Sequence, residues 1–438
     1  MRFGLQNCVL IAMITVAVAT TVNAADPTGP VVIPIGSAYA ATAINAAVFR
    51  VSALLTAGKY QFVSYYDPDA HIVVGRREIG QTTWALTTLP FTGNVHDAHN
   101  VTVLGISSDG LLHLSYDQHA QALHYRVSLW PFDVSGWGDD KPMTGQQESH
   151  VTYPEFISAA DGSLYFFYRD GASGNGSLCI NKYDAEHHAW QALQHPLIDG
   201  LNRCNPYWWR PEVAADGSIH VAWCWRDTPD AQTNHDICYM VSRDQGKSWL
   251  SADGKALSLP VTPESAPVVE AIKRGSNLIN QCSLAVDAAG HPHLAQYFND
   301  EHNVPQYFHL WFDGTKWNKD QVSHRTRVFN VNGTGTLAIL MSRPEIAIGS
   351  GGNVDLITRD AEFGGGIRIY RALPPYHDWT AIDLTHDDLG NWEPTYDLSR
   401  LRTGGILSLF VLPVRQGNHE RTTTFAPTTA EVLETPLP

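Results

Sequence analysis

Tight turns, each followed by a short apolar strand, recur along the whole chain and constrain its fold more than any other feature. The runs after these turns alternate Val, Ile, Leu, Tyr, Phe and Trp with polar residues, as in residues 111–116 and 218–223. Long runs with helical spacing do not occur after residue 24, so the pattern predicts an all-β fold. The turns recur at intervals of roughly 50 to 70 residues, at Gly58-Lys59, Asp109-Gly110, Asp161-Gly162, Asp216-Gly217, Ala289-Gly290, Gly351-Gly352 and Gly404-Gly405.

Tryptophans recur at about the same interval as the turns, and together they divide the chain into units of about four short strands. They lie near the ends of successive units, at Trp84, Trp137, Trp190, Trp249, Trp317 and Trp379. Such a repeat is typical of a β-propeller, and seven turns predict seven blades. We expect residues 25–438 to form this single domain, closed by pairing of a strand near residues 31–35 with the last blade, after Asn391. The Pro- and Thr-rich tail from Thr422 is predicted to be a loose extension.

The first 24 residues have the order of a secretory signal peptide, with Arg2 before an apolar stretch and Ala24 at a small-residue cleavage site. No later apolar run approaches a membrane span, so we expect a secreted or periplasmic protein with no membrane partner, and a monomer. The net charge of −15 argues against a nucleic-acid partner. Cys8 lies in the leader, and the other five cysteines cannot all pair within one chain.

Histidines are unusually dense between residues 96 and 126, where His99 and His119 flank a predicted hairpin. Proton transfer near neutral pH needs two titratable groups that face one substrate, and histidine titrates in this range. The pair therefore indicates acid/base chemistry, while other histidines of the segment remain open to a structural interpretation. Tyr153 and Arg169 follow on neighbouring strands of one predicted blade. An Arg there either pairs with an internal carboxylate or awaits an acidic ligand.

A third cluster contains His220, Cys224 and His235, which could bind a structural zinc ion through N and S ligands. Ordinary packing of Cys224 and Cys238 is the alternative, since the spacing matches no strong zinc motif. Nearby, Arg226 and Asn234 are candidates for holding an acidic group of the substrate.

Four motifs resemble the BNR-repeat propellers that include ulvan lyases and rhamnosyl-glucuronate lyases, with related α-L-rhamnosidases. The resemblance runs from about residue 30 to 420 and is most specific before Trp249. The motifs are His96-Asp97-x-His99-Asn100, His113-x-Ser115-x-Asp117-x-His119, Thr152-Tyr153-Pro154 and Tyr168-Arg169-x-Gly171-x-Ser173-Gly174.

The resemblance implies a catalytic site of two histidines, a tyrosine and an arginine, at His99, His119, Tyr153 and Arg169. It assigns Arg169 to neutralisation of a uronate carboxylate. We expect His119 and Tyr153 to transfer the protons and His99 to position the substrate or share the acid role. Asn100, in the first motif, is predicted to bind substrate together with Arg226 and Asn234. No cofactor is needed for this chemistry, although the relatives imply a structural metal ion, zinc or calcium, at the His220 cluster.

These observations predict a secreted polysaccharide lyase that cleaves an acidic, rhamnose-containing polysaccharide or oligosaccharide by β-elimination. A rhamnosidase-type glycoside hydrolase on the same scaffold and a non-catalytic carbohydrate-binding propeller are the alternatives. A pattern S-x-D-x-G-x-x-W at Ser242 to Trp249 also occurs in sialidases, but no convincing arginine triad accompanies it. We expect this motif to be structural.

Overall fold

The protein is described by a computed structural model that covers residues 29–51 and 53–437. Its strands form seven antiparallel sheets of three to five strands each, arranged as the blades of a β-propeller. The predicted all-β, seven-bladed fold is therefore confirmed. The predicted signal peptide, residues 1–24, lies outside the described residues.

Strands are numbered in chain order, and β1 (Val31–Ala38) belongs to the last blade. Blade 1 contains β2 (Leu54–Ala57), β3 (Tyr60–Tyr66), β4 (His71–Glu78) and β5 (Ala85–Thr92). Blade 2 contains β6 (Thr102–Ile106), β7 (Leu112–Tyr116) and β9 (Tyr125–Val127), whereas β8 (His119–Gln121) joins the next sheet. Blade 3 contains, besides β8, β10 (Val151–Ser158), β11 (Leu164–Ala172), β12 (Asn175–Asp184) and β13 (Ala189–Asp199).

The second half of the chain repeats this arrangement. Blade 4 contains β14 (Asn205–Trp208), β15 (Glu212–Val213), β16 (Ile219–Arg226), β17 (Asn234–Ser242) and β18 (Val268–Glu270). Blade 5 contains β19 (Ser283–Val286), β20 (Pro292–Asn299), β21 (Pro305–Phe312) and β22 (Trp317–Gln321). Blade 6 contains β23 (Glu345–Ile348), β24 (Val354–Arg359), β25 (Ile367–Ala372) and β26 (Thr380–Asp383). Short helical turns lie at Ala231–Thr233 and Ala361–Phe363, and helix α1 spans Leu398–Gly404.

The two ends of the chain build the last blade together. Strands β27 (Ile406–Val411) and β28 (Thr428–Pro436) come from the end of the chain, and β28 also pairs antiparallel with β1. The predicted closure of the ring is thus confirmed. The prediction of a loose tail was wrong: the Pro and Thr content concealed a strand in which Ala430 and Val432 are fully buried.

Packing between blades explains why the middle strands are apolar on both faces. All eight residues of β16 are buried, including Trp223 and Trp225, and so are all eight of β21. A strand covered on both faces reads as a continuous apolar run rather than as a strict alternation. The Ser242 to Trp249 motif contributes to the same packing. Asp244 closes its turn by accepting a hydrogen bond from Ser248 N at 2.9 Å, and Trp249 is fully buried.

Within an antiparallel blade, the loop that enters the first strand and the loop that leaves the second strand meet at the same end. His99 enters blade 2 between β5 and β6, and His119 follows β7. Tyr153 is the third residue of β10, and Arg169 lies in the second half of β11. These four side chains therefore belong to one end of the ring, called here the upper rim. No helix within residues 29–51 and 53–437 has the length and apolar composition needed to span a bilayer.

Closure of the ring should depend on the buried face of β28. Val432 pairs with Ile33 on one side and with Phe410 on the other. We expect Val432→Asp to lower the free energy of unfolding by about 3 kcal/mol or more, because it leaves an uncompensated charge in an apolar layer. Denaturant unfolding measures this change. The matched control is Thr429→Asp at an exposed position of the same strand, which should change stability by less than about 0.5 kcal/mol. Equal effects of the two substitutions would contradict the role of β28.

Candidate active site

The carboxylate of Asp97 joins the two histidines that the sequence singled out. Oδ2 of Asp97 lies 2.5 Å from Nδ1 of His119, and Oδ1 lies 2.9 Å from Nδ1 of His99. The two imidazole rings stack with centroids 4.0 Å apart and an interplanar angle of 14°. Because Asp97 engages Nδ1 of both rings, Nε2 is the nitrogen that each ring has available for a substrate.

The two histidines differ in charge state although they share a carboxylate. Burial favours the neutral form of His99, but hydrogen bonds to Asp97 and Glu420 outweigh it and raise the pKa to about 9. Burial and the neighbouring His99 charge lower the pKa of His119 below its ordinary value. Although burial opposes ionisation of Asp97, the two histidine hydrogen bonds keep its pKa well below the usual range. At neutral pH the pair is an imidazolium stacked on a neutral imidazole.

Glu420, on the loop between β27 and β28, is a functional candidate that the sequence analysis missed. Its Oε1 lies 3.1 Å from Nδ1 of His99 and accepts a hydrogen bond from Thr336 N at 2.8 Å. It is more than three hundred residues from His99, so no local motif signals it. Asp97, His99, His119 and Glu420 form the only group of three or more His, Cys, Asp or Glu in the described ranges whose ligand atoms lie within 4.8 Å of one another.

Tyr153 packs beside the histidines from blade 3. Its ring centroid lies 5.7 Å from that of His99 and 5.3 Å from that of Phe49. The backbone at Tyr153 has a φ of 53°, where the register of β10 against β11 shifts between Thr152 and Glu155. A left-handed aromatic residue at a strand irregularity is strained, and such strain is often stored at functional sites. Burial raises the pKa of Tyr153 well above its usual range, so its hydroxyl keeps its proton.

Arg169 is fully buried and forms no ion pair with a carboxylate of the described residues. Its Nη2 donates to Thr152 Oγ1 at 3.0 Å, whereas Nε and Nη1 have no acceptor. The guanidinium carbon lies 4.9 Å from the Tyr153 ring centroid. Of the two interpretations left open by the sequence, pairing with an internal carboxylate is excluded within this part of the chain. An acidic ligand can contact the unpaired donors only when the side chains over them move.

Tyr207 is a second functional candidate that the sequence analysis missed. Its hydroxyl lies 3.2 Å from Arg226 Nη1 and 2.9 Å from Ser173 Oγ. Burial opposes ionisation, but the charges of Arg226 and Arg169 outweigh it and lower the pKa of Tyr207 to about 7. A blade-by-blade alignment could have found it.

The repeat relates the two tyrosine–arginine pairs. Thr152 faces Arg169 across blade 3, and Asn205 faces Arg226 at the corresponding place in blade 4. Tyr153 follows Thr152 by one residue and Tyr207 follows Asn205 by two, so successive blades each present a tyrosine and an arginine at the upper rim.

The residues predicted to bind substrate have structural partners. Arg226 donates to Asn234 Oδ1 at 2.7 Å and to Asn280 Oδ1 at 2.6 Å, and Asn234 in turn donates to Leu278 O at 2.8 Å. Asn234 thus orients Arg226. Asn100 is 2% exposed and donates to Asn94 O at 3.2 Å within its own loop. Contact of these three side chains with a substrate stays a prediction.

The predicted metal cluster does not fit a metal ion, because the structure does not bring His220, Cys224 and His235 together. Residues four apart on a strand are about 13 Å apart along it, which separates the first two side chains. His235 Nε2 lies 3.2 Å from Asp227 and its Nδ1 lies 3.0 Å from Asp236.

A repeated structural role explains His220 instead. Its ring lies between Ser218 Oγ, at 2.7 Å, and Tyr239 OH, at 2.5 Å. His113 takes the same position in blade 2, between Ser107 Oγ at 2.9 Å and Tyr125 OH at 2.6 Å. Both side chains link a turn to the strand beside it within one blade.

The space next to His99 limits where a sugar can bind. A cavity of about 30 Å³ is lined by Phe49, His99, Tyr153, Arg226 and Arg343, among others. This volume is about the share of one water molecule in the liquid and is too small for a sugar ring. A saccharide therefore approaches from the solvent side, where the side chain of His119 is 31% exposed.

Three solved structures that are similar to this chain are polysaccharide lyases. The lyase Uly1 matches 89% of this chain and 90% of its own length with a TM-score of 0.67 and 18% identity. A PL25 ulvan lyase matches 88% of this chain and 96% of its own length with a TM-score of 0.69 and 15% identity. The same kind of enzyme bound to -[GlcA(1-4)Rha3S]- gives a TM-score of 0.68 at 16% identity, over 88% of this chain and 95% of that one. At these identities the likeness shows the fold alone.

Curated relatives share part of the chain. An ulvan lyase of Alteromonas sp. (strain LOR) is 24% identical over 259 residues, which are 51% of this chain and 53% of the relative. An ulvan lyase of Nonlabens ulvanivorans is 25% identical over 313 residues, or 62% of this chain and 63% of the relative. The matches thus span between half and two thirds of these relatives.

A family model covers the blades that carry most of the site. It describes a BNR repeat-containing family member and matches residues 60–325. This range is more than half of the chain and includes His99, His119, Tyr153 and Arg169. The protein therefore belongs to the BNR repeat-containing family.

Proposed function

We propose that this protein is a polysaccharide lyase that cleaves a rhamnose-linked uronic acid by β-elimination. The observation that carries the proposal is the stacked pair of one charged and one neutral histidine on Asp97, next to a buried guanidinium without a carboxylate partner. A neutral imidazole can accept a proton, and nearby cations favour a substrate that carries a carboxylate.

The reaction needs one proton acceptor and one proton donor. A base removes the proton on C5 of the uronate, the electron pair of that bond forms the C4=C5 double bond, and the bond from C4 to the glycosidic oxygen breaks. The acid then protonates the departing oxygen. No other reactant is needed, and the product carries a conjugated, unsaturated uronate at its new end.

His119 is the proposed base and Tyr153 the proposed acid. His119 is neutral at physiological pH and partly exposed to solvent. Tyr153 retains its proton because it is buried, so it can donate to the leaving oxygen but cannot act as the base. The Tyr153 ring centroid lies 5.7 Å from that of His99, which in turn stacks on His119 at 4.0 Å, so the proposed acid and base belong to one cluster of side chains.

Positive charge around the cavity supports an anionic sugar. The His99 imidazolium lines it together with Arg226, which forms no ion pair among the described residues. Arg169 adds its charge from behind the Tyr153 ring. Charge that moves onto the uronate carboxylate as the C5 proton leaves is stabilised by such preorganised cations.

The proposed substrate and location follow from chemistry and likeness. The curated relatives are named ulvan lyases, and one fold neighbour was solved with glucuronate linked to rhamnose 3-sulfate. These names support a rhamnose-linked uronic acid as the substrate. Because such polymers lie outside cells, we propose a secreted or periplasmic enzyme that acts as a monomer.

Incubation with ulvan, and separately with gum arabic, tests the reaction type. We expect at least one of these glycans to give products with the ultraviolet absorbance of a conjugated unsaturated uronate, because elimination creates a double bond next to the carboxylate. Release of free rhamnose without this absorbance would instead indicate a rhamnosidase and overturn the proposal.

Replacement of the proposed base tests the site. We expect His119→Ala to lower kcat by about 100-fold or more, since general base catalysis contributes at least this much. Initial rates at a saturating concentration of glycan measure it. The matched control is His124→Ala in the same segment, whose ring pairs with Asp140 at 2.8 Å outside the site. A His119→Ala enzyme as active as this control would contradict the assignment.

The pH profile distinguishes His119 from Tyr207 as the base. His119 must be neutral, and burial together with the charge on His99 lowers its pKa below the ordinary value, so kcat/KM should rise with pH and reach its plateau by about neutral pH. His99 should be protonated, so the rate should fall through a pKa of about 9. We expect Tyr207→Phe to leave the acidic limb where it is. A limb near the pKa of about 7 for Tyr207 that disappears in Tyr207→Phe would make the phenolate the base.

A further inference from the structure

A long segment between β22 and β23, residues 322–344, crosses the upper rim and is called here the strap. At one end of the crossing, Gly333 N donates to Asp230 Oδ1 at 2.8 Å, and Ala231 N donates to Gly333 O at 2.9 Å. A few residues further, Thr336 Oγ1 lies 3.4 Å from Nδ1 of His99. The strap thus connects the hairpin of blade 4 to the histidines of blade 2.

The strap also fixes Glu420. Thr336 N donates to Glu420 Oε1 at 2.8 Å, and Ala338 N donates to Asn418 Oδ1 at 2.7 Å. Glu420 and its neighbour His419 both have left-handed backbone, with φ of 62° and 60°. Two consecutive residues in this region are costly for L-amino acids. The loop accepts this conformation where it brings a carboxylate to His99.

We propose that Glu420 is a positioning residue that places the single positive charge of the histidine pair on His99 and leaves His119 as the neutral partner. This inference rests on the proposed function and deepens it, because it explains what selects the base. It concerns a residue on the last blade, outside residues 60–325 that match the family model.

Glu420 makes the surroundings of the two stacked histidines unequal. Asp97 offers one oxygen to each ring, at 2.9 Å to His99 and 2.5 Å to His119, so by distance Asp97 alone favours a positive charge on His119 at least as much as on His99. Glu420 adds a second carboxylate on the His99 side only, 3.1 Å from Nδ1. Because the stacked rings cannot both be charged without strong repulsion, the extra carboxylate selects His99 and thereby keeps His119 free to accept a proton.

Other charged groups around the pair act in the same direction. Arg169 lowers the pKa of His119, as does the charge on His99. The remaining titratable groups near the two rings are Tyr153 from β10, Tyr207 from β14, Arg226 from β16 and Arg343 from the strap. Arg343 is bound to Glu393. Within the described residues, the two carboxylates bonded to His99 are therefore Asp97 and Glu420.

A titration of the free protein tests this inference without any substrate. Histidine is labelled with nitrogen-15, and the signals of His99 are identified by their loss in His99→Gln. In the wild type we expect His99 to titrate with a pKa of about 9. In Glu420→Gln, which retains the acceptor for Thr336 N but removes the charge, we expect this pKa to fall by about one unit or more. An unchanged pKa would overturn the inference.

Two variants separate charge from structure. Glu420→Asp keeps the charge and should restore most of the elevated pKa, whereas loss of the strap contact alone would affect both variants alike. Glu301→Gln removes an equal charge from an exposed turn in blade 5 and should leave His99 unchanged. Similar melting temperatures for all variants confirm that each one folds. If Glu420→Asp titrates like Glu420→Gln, Glu420 has only a structural role and the inference is wrong.

The same variants are then assayed for elimination. We expect the alkaline limb of kcat/KM to move to lower pH in Glu420→Gln by the shift that the titration measures. Absence of unsaturated products from wild-type protein would refute the proposed function but leave the titration result valid. Titration after treatment with a chelator should be unchanged. A change would mean that Asp97, His99, His119 and Glu420 bind a metal ion, and it would overturn the proton assignment.

Discussion

One carboxylate, that of Asp97, holds the chemistry of this site together. It accepts from Nδ1 of His99 and of His119, so it fixes the tautomer and orientation of both rings and presents Nε2 of each to a ligand. Two unit charges 4 Å apart repel by about 4 kcal/mol at an effective dielectric constant of 20. The two stacked rings therefore carry one positive charge more readily than two, and the Asp97 carboxylate balances that single charge.

Such a pair depends on the closed ring, because its neighbours come from distant blades. Asp97 and His99 lie on the loop before β6, Tyr153 lies near the start of β10, and Glu420 comes from the blade that the two chain ends build. No two consecutive strands could assemble this set. The pairing of β28 with β1 and β27 consequently supports more than stability, since it places a carboxylate from the end of the chain beside a histidine from its first quarter.

The sequence predicts the architecture well because each blade repeats the same local sequence pattern. A turn followed by an apolar run identifies a strand whatever its partners are, and seven repetitions suffice to predict the ring. His99, His119, Tyr153 and Arg169 were predicted from residue type and motif, and the structure brings their side chains together. His220 was predicted to bind a metal because its local sequence is as polar as that of the active-site histidines. The structure shows that its ring instead links a turn to the neighbouring strand within one blade.

What the sequence could not predict depends on contacts between distant segments. Glu420 lies in a polar loop with no distinguishing pattern, and its role follows from the strap that reaches it across the rim. Tyr207 differs from other buried tyrosines only because two arginines of neighbouring blades flank it. The strand β28 was missed because its alternation is short and rich in Thr, whereas its partners on both sides provide the apolar layer.

The distribution of charge at the rim gives the site a direction. The protein as a whole carries a net charge of −15, yet Arg169 and Arg226 have no carboxylate partner among the residues that the structure describes. The carboxylates of Asp97 and Glu420 instead lie next to His99 and His119. For the proposed substrate, the arginines favour binding with the uronate carboxylate on their side of the site. The proposed elimination requires that this orientation turn the C5 proton toward His119, the proposed base, so the residues that hold the anion would also position the C–H bond that breaks.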